Sequence, residues 1–280
     1  MDTKQVLTVG LAVVGAATMP TMAAQESIKS TFALLGESEK TVGALIVKET
    51  GPLTRELSIA FTDKATGQPI VQFDEELTQR LHVLATDSHF TSFIHEHAAK
   101  LGADGRFKVA MKFPQPGTYY VYADAVPSGL GQQVVRFEVP VQGGTDPAAQ
   151  APAKPEQGSD GPYTVKLDTS ALRAGSESMM SLTVLKDGKP AQDLDTYLGV
   201  AAHAVFVSTD ELDYVHAHAM AAPMPGQVAH GGHGDPGAVS AQLMLHAKPA
   251  HPGPYALWIQ FKGGDKIRTV PFLVTVPAAS

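Results

Sequence analysis

The chain has 280 residues, a net charge of −7, 44 % hydrophobic and 18 % charged residues, and no cysteine. That length suits two domains of ordinary size, and an acidic chain with no Lys/Arg cluster argues against a nucleic-acid partner. The absence of thiols excludes disulfides, iron–sulfur clusters, covalently attached haem, cysteine zinc sites and blue-copper centres, so any metal must be held by imidazole, carboxylate, thioether or backbone groups.

In chain order, residues 1–24 read as a secretory signal: Lys4, the apolar run Val6–Ala17, then Pro20 and the small pair Ala23-Ala24. The run is too short to span a bilayer, which needs about 20 residues, so no transmembrane anchor is expected in the mature chain and localisation is expected to be periplasmic or secreted. Residues 25–41 read as a lead-in with one helical turn near Thr31–Leu35. Short segments rich in Val, Tyr, Phe and Ile follow at Leu45–Lys48, Glu56–Phe61, Arg80–Thr86, Arg106–Phe113, Thr118–Ala125 and Gln133–Val141. Gly, Pro and Asp separate them at intervals near ten residues, the spacing of a β-sandwich. A Pro/Ala/Gly-rich linker is expected over 142–162. The pattern then returns at Tyr163–Asp168, Glu177–Leu185, Ala202–Ser208, Ala241–His246, Pro254–Phe261 and Lys266–Val276. The expected fold is all-β: two tandem immunoglobulin-like β-sandwich domains, 42–141 and 163–277. Pro116-Gly-Thr-Tyr119 and Pro252-Gly-Pro-Tyr255 predict a tyrosine corner in each copy, with Tyr122 and Trp258 as matched core aromatics.

The copies align at a constant offset of 121 residues: Pro69, Asp74, Leu77, His82, His95 and His97 recur as Pro190, Asp195, Leu198, His203, His216 and His218. Flanking residues have diverged, so the retained histidines mark what the unit needs. In an extended segment the two histidines of H-x-H share a face, and His82 or His203 could be brought alongside by a hairpin. Three imidazoles suit copper(II), zinc or nickel, and copper(I) if methionine joins. Further along, copy two carries about 15 extra residues, a His/Met/Gly-rich insertion at about 219–238 with Met220, Met224, His230 and His233 as further candidate ligands. His89 and Asp210, seven residues past the first histidine of each triad, are candidate fourth or outer partners. Glu96 should face away, at least one of Met179 and Met180 is core, and His246 and His251 rank low.

The order Gly-x-Pro, Leu/Ala-His, an aromatic (Phe93, Tyr214), H-x-H and Pro-Gly-x-Tyr resembles the bacterial extracytoplasmic β-sandwich modules grouped as YtkA-like or FixH-like. The resemblance covers most of 42–141 and 163–277 and implies copper handling through His82, His95 and His97 and through His203, His216 and His218. It departs where copy one has His89 in place of an acid, and where Ala98 and Ala219 follow H-x-H.

Three functions compete. The first is a secreted or periplasmic metal-binding protein, copper ahead of zinc, that buffers or passes ions; it predicts exposed, clustered imidazoles. The second is a non-catalytic extracytoplasmic interaction module with a protein partner, whose buried histidines bond backbone carbonyls. The third, a zinc hydrolase, lacks a well-placed general base, since Glu96 and Asp210 are the nearest acids; the chain is not expected to be an enzyme.

Overall fold

A computed structural model describes residues 28–29, 39–142, 157–221 and 239–279. The signal segment, the turn at 31–35, most of the linker, Met224, His230 and His233 lie outside the described residues.

The first repeat contains β1 (Ile28–Lys29), β2 (Thr41–Gly51), β3 (Thr54–Asp63), β4 (Phe73–Asp74), β5 (Leu81–Asp87), β6 (Ile94–Ala98), β7 (Phe107–Lys112), β8 (Gly117–Pro127) and β9 (Gln133–Val141). The second contains β10 (Gln157–Asp160), β11 (Tyr163–Asp168), β12 (Ser178–Lys186), β13 (Lys189–Pro190), β14 (Leu194–Asp195), β15 (Ala202–Ser208), β16 (Tyr214–Ala221), β17 (Gln242–Ala247), β18 (Gly253–Gly263) and β19 (Lys266–Val276). The strands expected from the sequence match this set closely, and the H-x-H segments form two strands of their own, β6 and β16.

All pairing is antiparallel. In the first repeat a sheet β1-β2-β3-β7 packs on a sheet β6-β5-β8-β9, with β4 also on β8. The second repeat has the same two layers, β10-β11-β12-β17 and β16-β15-β18-β19. Here β16 runs on to Ala221 and pairs with β17 from His218↔His246 to Ala221↔Leu243, which joins the layers into one ten-stranded sheet. The extension occupies the start of the extra residues of copy two.

Strand pairing reaches past two expected boundaries. Ile28–Lys29, within the expected lead-in, pairs with Leu45 and Ala44 at the edge of the first sheet. Residues 157–160, expected in the linker, form β10 on β11, so the second repeat begins before Tyr163. The glycine there has a packing reason: a Cβ on Gly158 would collide with Val270 Cγ1 and sit 2.6 Å from the Pro271 oxygen.

Each sandwich has its own core, with Ile59, Val83, Phe107 and Phe137 in the first and Val165, Leu182, Phe206 and Leu257 in the second. The tyrosine corners are present: Tyr119 OH donates to Gln115 O at 2.9 Å and Tyr255 OH to His251 O at 3.1 Å. A third core lies between the repeats. It contains Leu84, Tyr122, Val205, Val207, Tyr214 and Trp258, with Phe93 packed against it. Every residue of β5 and β15 is buried, because one face of each strand packs inside its sandwich and the other against the opposite repeat. Tyr122 and Trp258 are therefore buried aromatics, as expected, but of the inter-repeat core. Met180 is core while Met179 is exposed.

The inter-repeat packing has an approximate two-fold symmetry. Phe93 stacks on Trp258 (centroids 5.0 Å, 15°) and its counterpart Tyr214 stacks on Tyr122 (4.9 Å, 17°). The tandem copies thus associate as an isologous dimer does, within one chain.

Candidate metal centre between the repeats

Strand register builds each triad. His82 lies directly opposite His97 across β5 and β6, and His203 opposite His218 across β15 and β16. Directly opposed residues share a face with Cβ atoms about 5 Å apart, and His95 and His216 stand two residues along on that same face. In each triad three nitrogens, one per imidazole, lie within 4.8 Å of one another. The face is the one turned toward the other repeat, so the six rings form a single cluster. His82 and His216 have centroids 5.1 Å apart, their counterparts His203 and His95 5.7 Å, and His95 and His216 5.6 Å. The approximate two-fold axis passes between His95 and His216.

Hydrogen bonds decide which nitrogens carry protons. His82 Nε2 lies 3.1 Å from the carbonyl oxygen of Glu76, and His203 Nε2 3.1 Å from that of Tyr197. A carbonyl only accepts, so each proton sits on Nε2 and each Nδ1 presents a lone pair. The loops that supply these carbonyls turn at Leu77 and Leu198, with φ of 48° and 50°. A left-handed leucine costs about 1–2 kcal/mol, and both copies keep it next to the carbonyl that orients the histidine.

The other proton assignments come from across the interface. His95 Nδ1 donates to Gln260 Oε1 at 2.8 Å, and the Gln260 amide nitrogen donates to Thr269 Oγ1 at 2.9 Å, leaving its oxygen as the acceptor. His216 Nδ1 donates to Asp124 Oδ2 at 3.3 Å. Asp124 also accepts from both contacts of Gln132 Nε2 at 2.9 Å and from Tyr214 OH at 3.2 Å. With Nδ1 protonated, the Nε2 atoms of His95 and His216 also present lone pairs. His82 Nδ1 then faces His95 Nε2 at 3.4 Å, and His203 Nδ1 faces His216 Nε2 at 3.2 Å, with no proton between them. His97 Nε2 and His218 Nε2 are buried without a hydrogen-bond partner. Each triad is a set of converging lone pairs that a cation would satisfy.

Burial holds five of the rings neutral, the form that binds metal. It lowers His95 well below the usual histidine range, helped by His97 and His216. His97 is brought down to about 3 by burial and then by His82 and His216. His203 falls to about 2 by burial and by His216, His216 to about 3 by burial and by His82, and His218 to about 4 by burial and by His216. Two carboxyls are buried nearby. Desolvation raises Asp124 to about 6, opposed by the Gln132 hydrogen bond, and raises Glu76 to about 7, with Asp124 adding to it.

Several expectations change. The imidazoles are clustered, but they are buried or half-buried rather than exposed; His82 and His203 are each 1 % exposed. His89 and Asp210 are exposed and lie in the turns beyond the far ends of β5 and β15, about 20 Å along the strand from the first histidine, so neither can join a triad. Glu96 is exposed, as alternation requires. Met220 is 67 % exposed, which leaves both triads all-imidazole among the described residues. His246 meets Glu177 at 2.7 Å on the surface, and His251 Nδ1 meets Asp213 at 2.6 Å. Sequence reasoning missed Asp124 and Gln260. The signal was available: both are polar residues five positions past the corner tyrosine in an otherwise apolar strand, Tyr-Ala-Asp-Ala and Trp-Ile-Gln-Phe.

No helix among the described residues is long and apolar enough to cross a membrane. Among solved structures, domains 4 and 5 of the S-layer protein SbsC are similar at 12 % identity and a TM-score of 0.23, over 91 % of this chain and 98 % of that one. Domains 1–6 of the surface layer protein SbsC match at 13 % identity and a TM-score of 0.23, over 91 % of this chain and 29 % of that one. TM-scores this low carry no argument about function. No curated protein matches. The family model described as "Domain of unknown function (DUF8832)" matches twice, at residues 42–143 and 157–278, and the chain, most of which these two matches cover, belongs to that family.

Proposed function

We propose that this chain is an extracytoplasmic metal-binding protein that buffers or passes ions, copper ahead of zinc, through the histidine triads at the face between its two repeats, and that it is not a catalyst. The observation that carries this reading is the pair of facing lone-pair nitrogens in each triad, 3.4 and 3.2 Å apart, whose protons are committed elsewhere. All-imidazole sites suit copper(II), zinc or nickel. The order of copper before zinc follows the resemblance to YtkA-like and FixH-like modules, and the extracytoplasmic placement follows the signal-like segment at 1–24.

The competing reading, an interaction module with structural histidines, accounts for the bonds from His82 and His203 to backbone carbonyls. It leaves the facing nitrogens unexplained. A proton shared between them would create a buried imidazolium, which desolvation opposes.

The test is calorimetric titration of the metal-free full chain with copper(II) and with zinc, repeated on the double variant His97→Ala/His218→Ala. These two rings are half-buried, so their removal disturbs the repeat interface least; circular dichroism checks folding. Sub-micromolar binding that weakens at least 100-fold in the variant supports the proposal. Absence of binding, or binding that the variant leaves unchanged, refutes it; the imidazoles are then structural or the ions sit elsewhere.

A further inference from the structure

We infer that the two triads form one two-ion centre with unequal sites, and that the His203–His216–His218 site fills first because Asp124 of the first repeat backs it. The inference rests on the metal-binding reading and adds the number of ions, their order and the residues that set the order.

The geometry that carries it is reciprocal supply across the interface. Each triad takes its outer hydrogen-bond acceptor from the other repeat: His95 from Gln260, His216 from Asp124. These acceptors occupy equivalent places, since His82 is paired with Asp124 across β5 and β8, and His203 with Gln260 across β15 and β18. One is a carboxylate and the other an amide. A carboxylate behind a ligating imidazole makes the ring a stronger donor and places a negative charge beside the cation, whereas an amide does only the orienting part. Asp124 is held rigidly for this role by Gln132 and Tyr214. Its side chain and that of His216 are both fully buried, so water does little to screen the pair. The first ion therefore settles on the second repeat's triad. Ring centroids of the two triads come within 5–6 Å, so the second ion meets the repulsion of the first as well as the weaker amide support.

Asp124 and Gln260 are positioning residues, and exchanging their chemistry should move the two binding steps separately. Copper(II) is titrated into the full metal-free chain, followed by calorimetry and by electron paramagnetic resonance. The native chain should take two ions in two resolved steps, and signals of isolated ions at one equivalent should become dipole-broadened at two. Asp124→Asn should weaken the tight step by about 10–100-fold and the weak one less, because Asp124 hydrogen-bonds His216 but only lies across from His82. Gln260→Glu, which restores the carboxylate on the other side, should tighten the weak step by a similar factor. His218→Ala should remove the tight step and His97→Ala the weak one.

Two equal and independent steps, a total of one ion, or a tight step indifferent to Asp124→Asn would overturn the inference while leaving metal binding intact. A chain that binds no ion would remove both readings. If Asp124→Asn fails to fold, Gln260→Glu decides alone: an unchanged weak step refutes the role of the carboxylate.

Discussion

Acidification of the metal-free protein should weaken it steeply between about pH 6.5 and 4.5, starting at the face between the repeats. In the folded chain His95, His97, His203, His216 and His218 all titrate well below the ordinary histidine value. Unfolded, they protonate near pH 6.5. Below that pH the unfolded chain holds protons the folded chain does not, so stability falls as pH falls. Asp124 below about pH 6 and Glu76 below about pH 7 act in the opposite direction, since there they are protonated when folded and ionised when unfolded. Five imidazoles against two carboxyls leave about three protons taken up on unfolding. His97 and His218 are less deeply buried than His95 and His216, which reduces the working figure to about two. At about 1.4 kcal/mol per proton per pH unit, the loss is about 3 kcal/mol per unit. That is a large share of the 5–15 kcal/mol typical of a folded protein. Trp258, the single tryptophan, is 3 % exposed and stacked on Phe93 across the interface, so its emission reports on the contact between the repeats. Denaturant titrations in chelator at half-unit pH steps, read by Trp258 emission, give the slope. A midpoint flat from pH 6.5 to 5 would refute the buried neutral state of these histidines.

Two further predictions concern the scaffold. Asp87 closes the β5–β6 turn, accepting from the backbone amides of His89, Thr91 and Ser92 and from the hydroxyls of Thr91 and Ser92. Burial pushes its carboxyl up, but the hydrogen bonds from Ser92, Thr91 and His89 outweigh this and hold it below the usual range; Asp87→Ala should cost about 2 kcal/mol in thermal or chemical denaturation. Tyr255→Phe removes the corner hydrogen bond while keeping the buried ring, and should cost about 1 kcal/mol without altering metal stoichiometry. A loss several times larger would show that the corner does more than join strand to loop.

Much of the site was legible because it is made by local register. His82 and His97, or His203 and His218, face each other within one hairpin of fifteen or so residues, and period-two alternation then places His95 or His216 beside them. The duplication at constant offset separated retained histidines from chance ones. His89 and Asp210 lie away from the triads for a related reason: a separation of seven residues is close in the chain but is the length of a whole strand in space.

Alternation, turn residues and hairpin pairing act over short distances, so the all-β class, the duplication, most strand positions, both tyrosine corners and the membership of each triad can be read from the residues alone. That the two triads meet depends on how one repeat packs against the other. Strands such as Leu81–Asp87 and Ala202–Ser208 are apolar on both faces, and no local pattern says whether the second face meets its own sandwich or another one. For the same reason Asp124 and Gln260 could be placed only in three dimensions. Their partners, His216 and His95, lie 92 and 165 residues away. Chain alternation shows that a polar side chain is turned inward, but packing between the repeats selects what it meets.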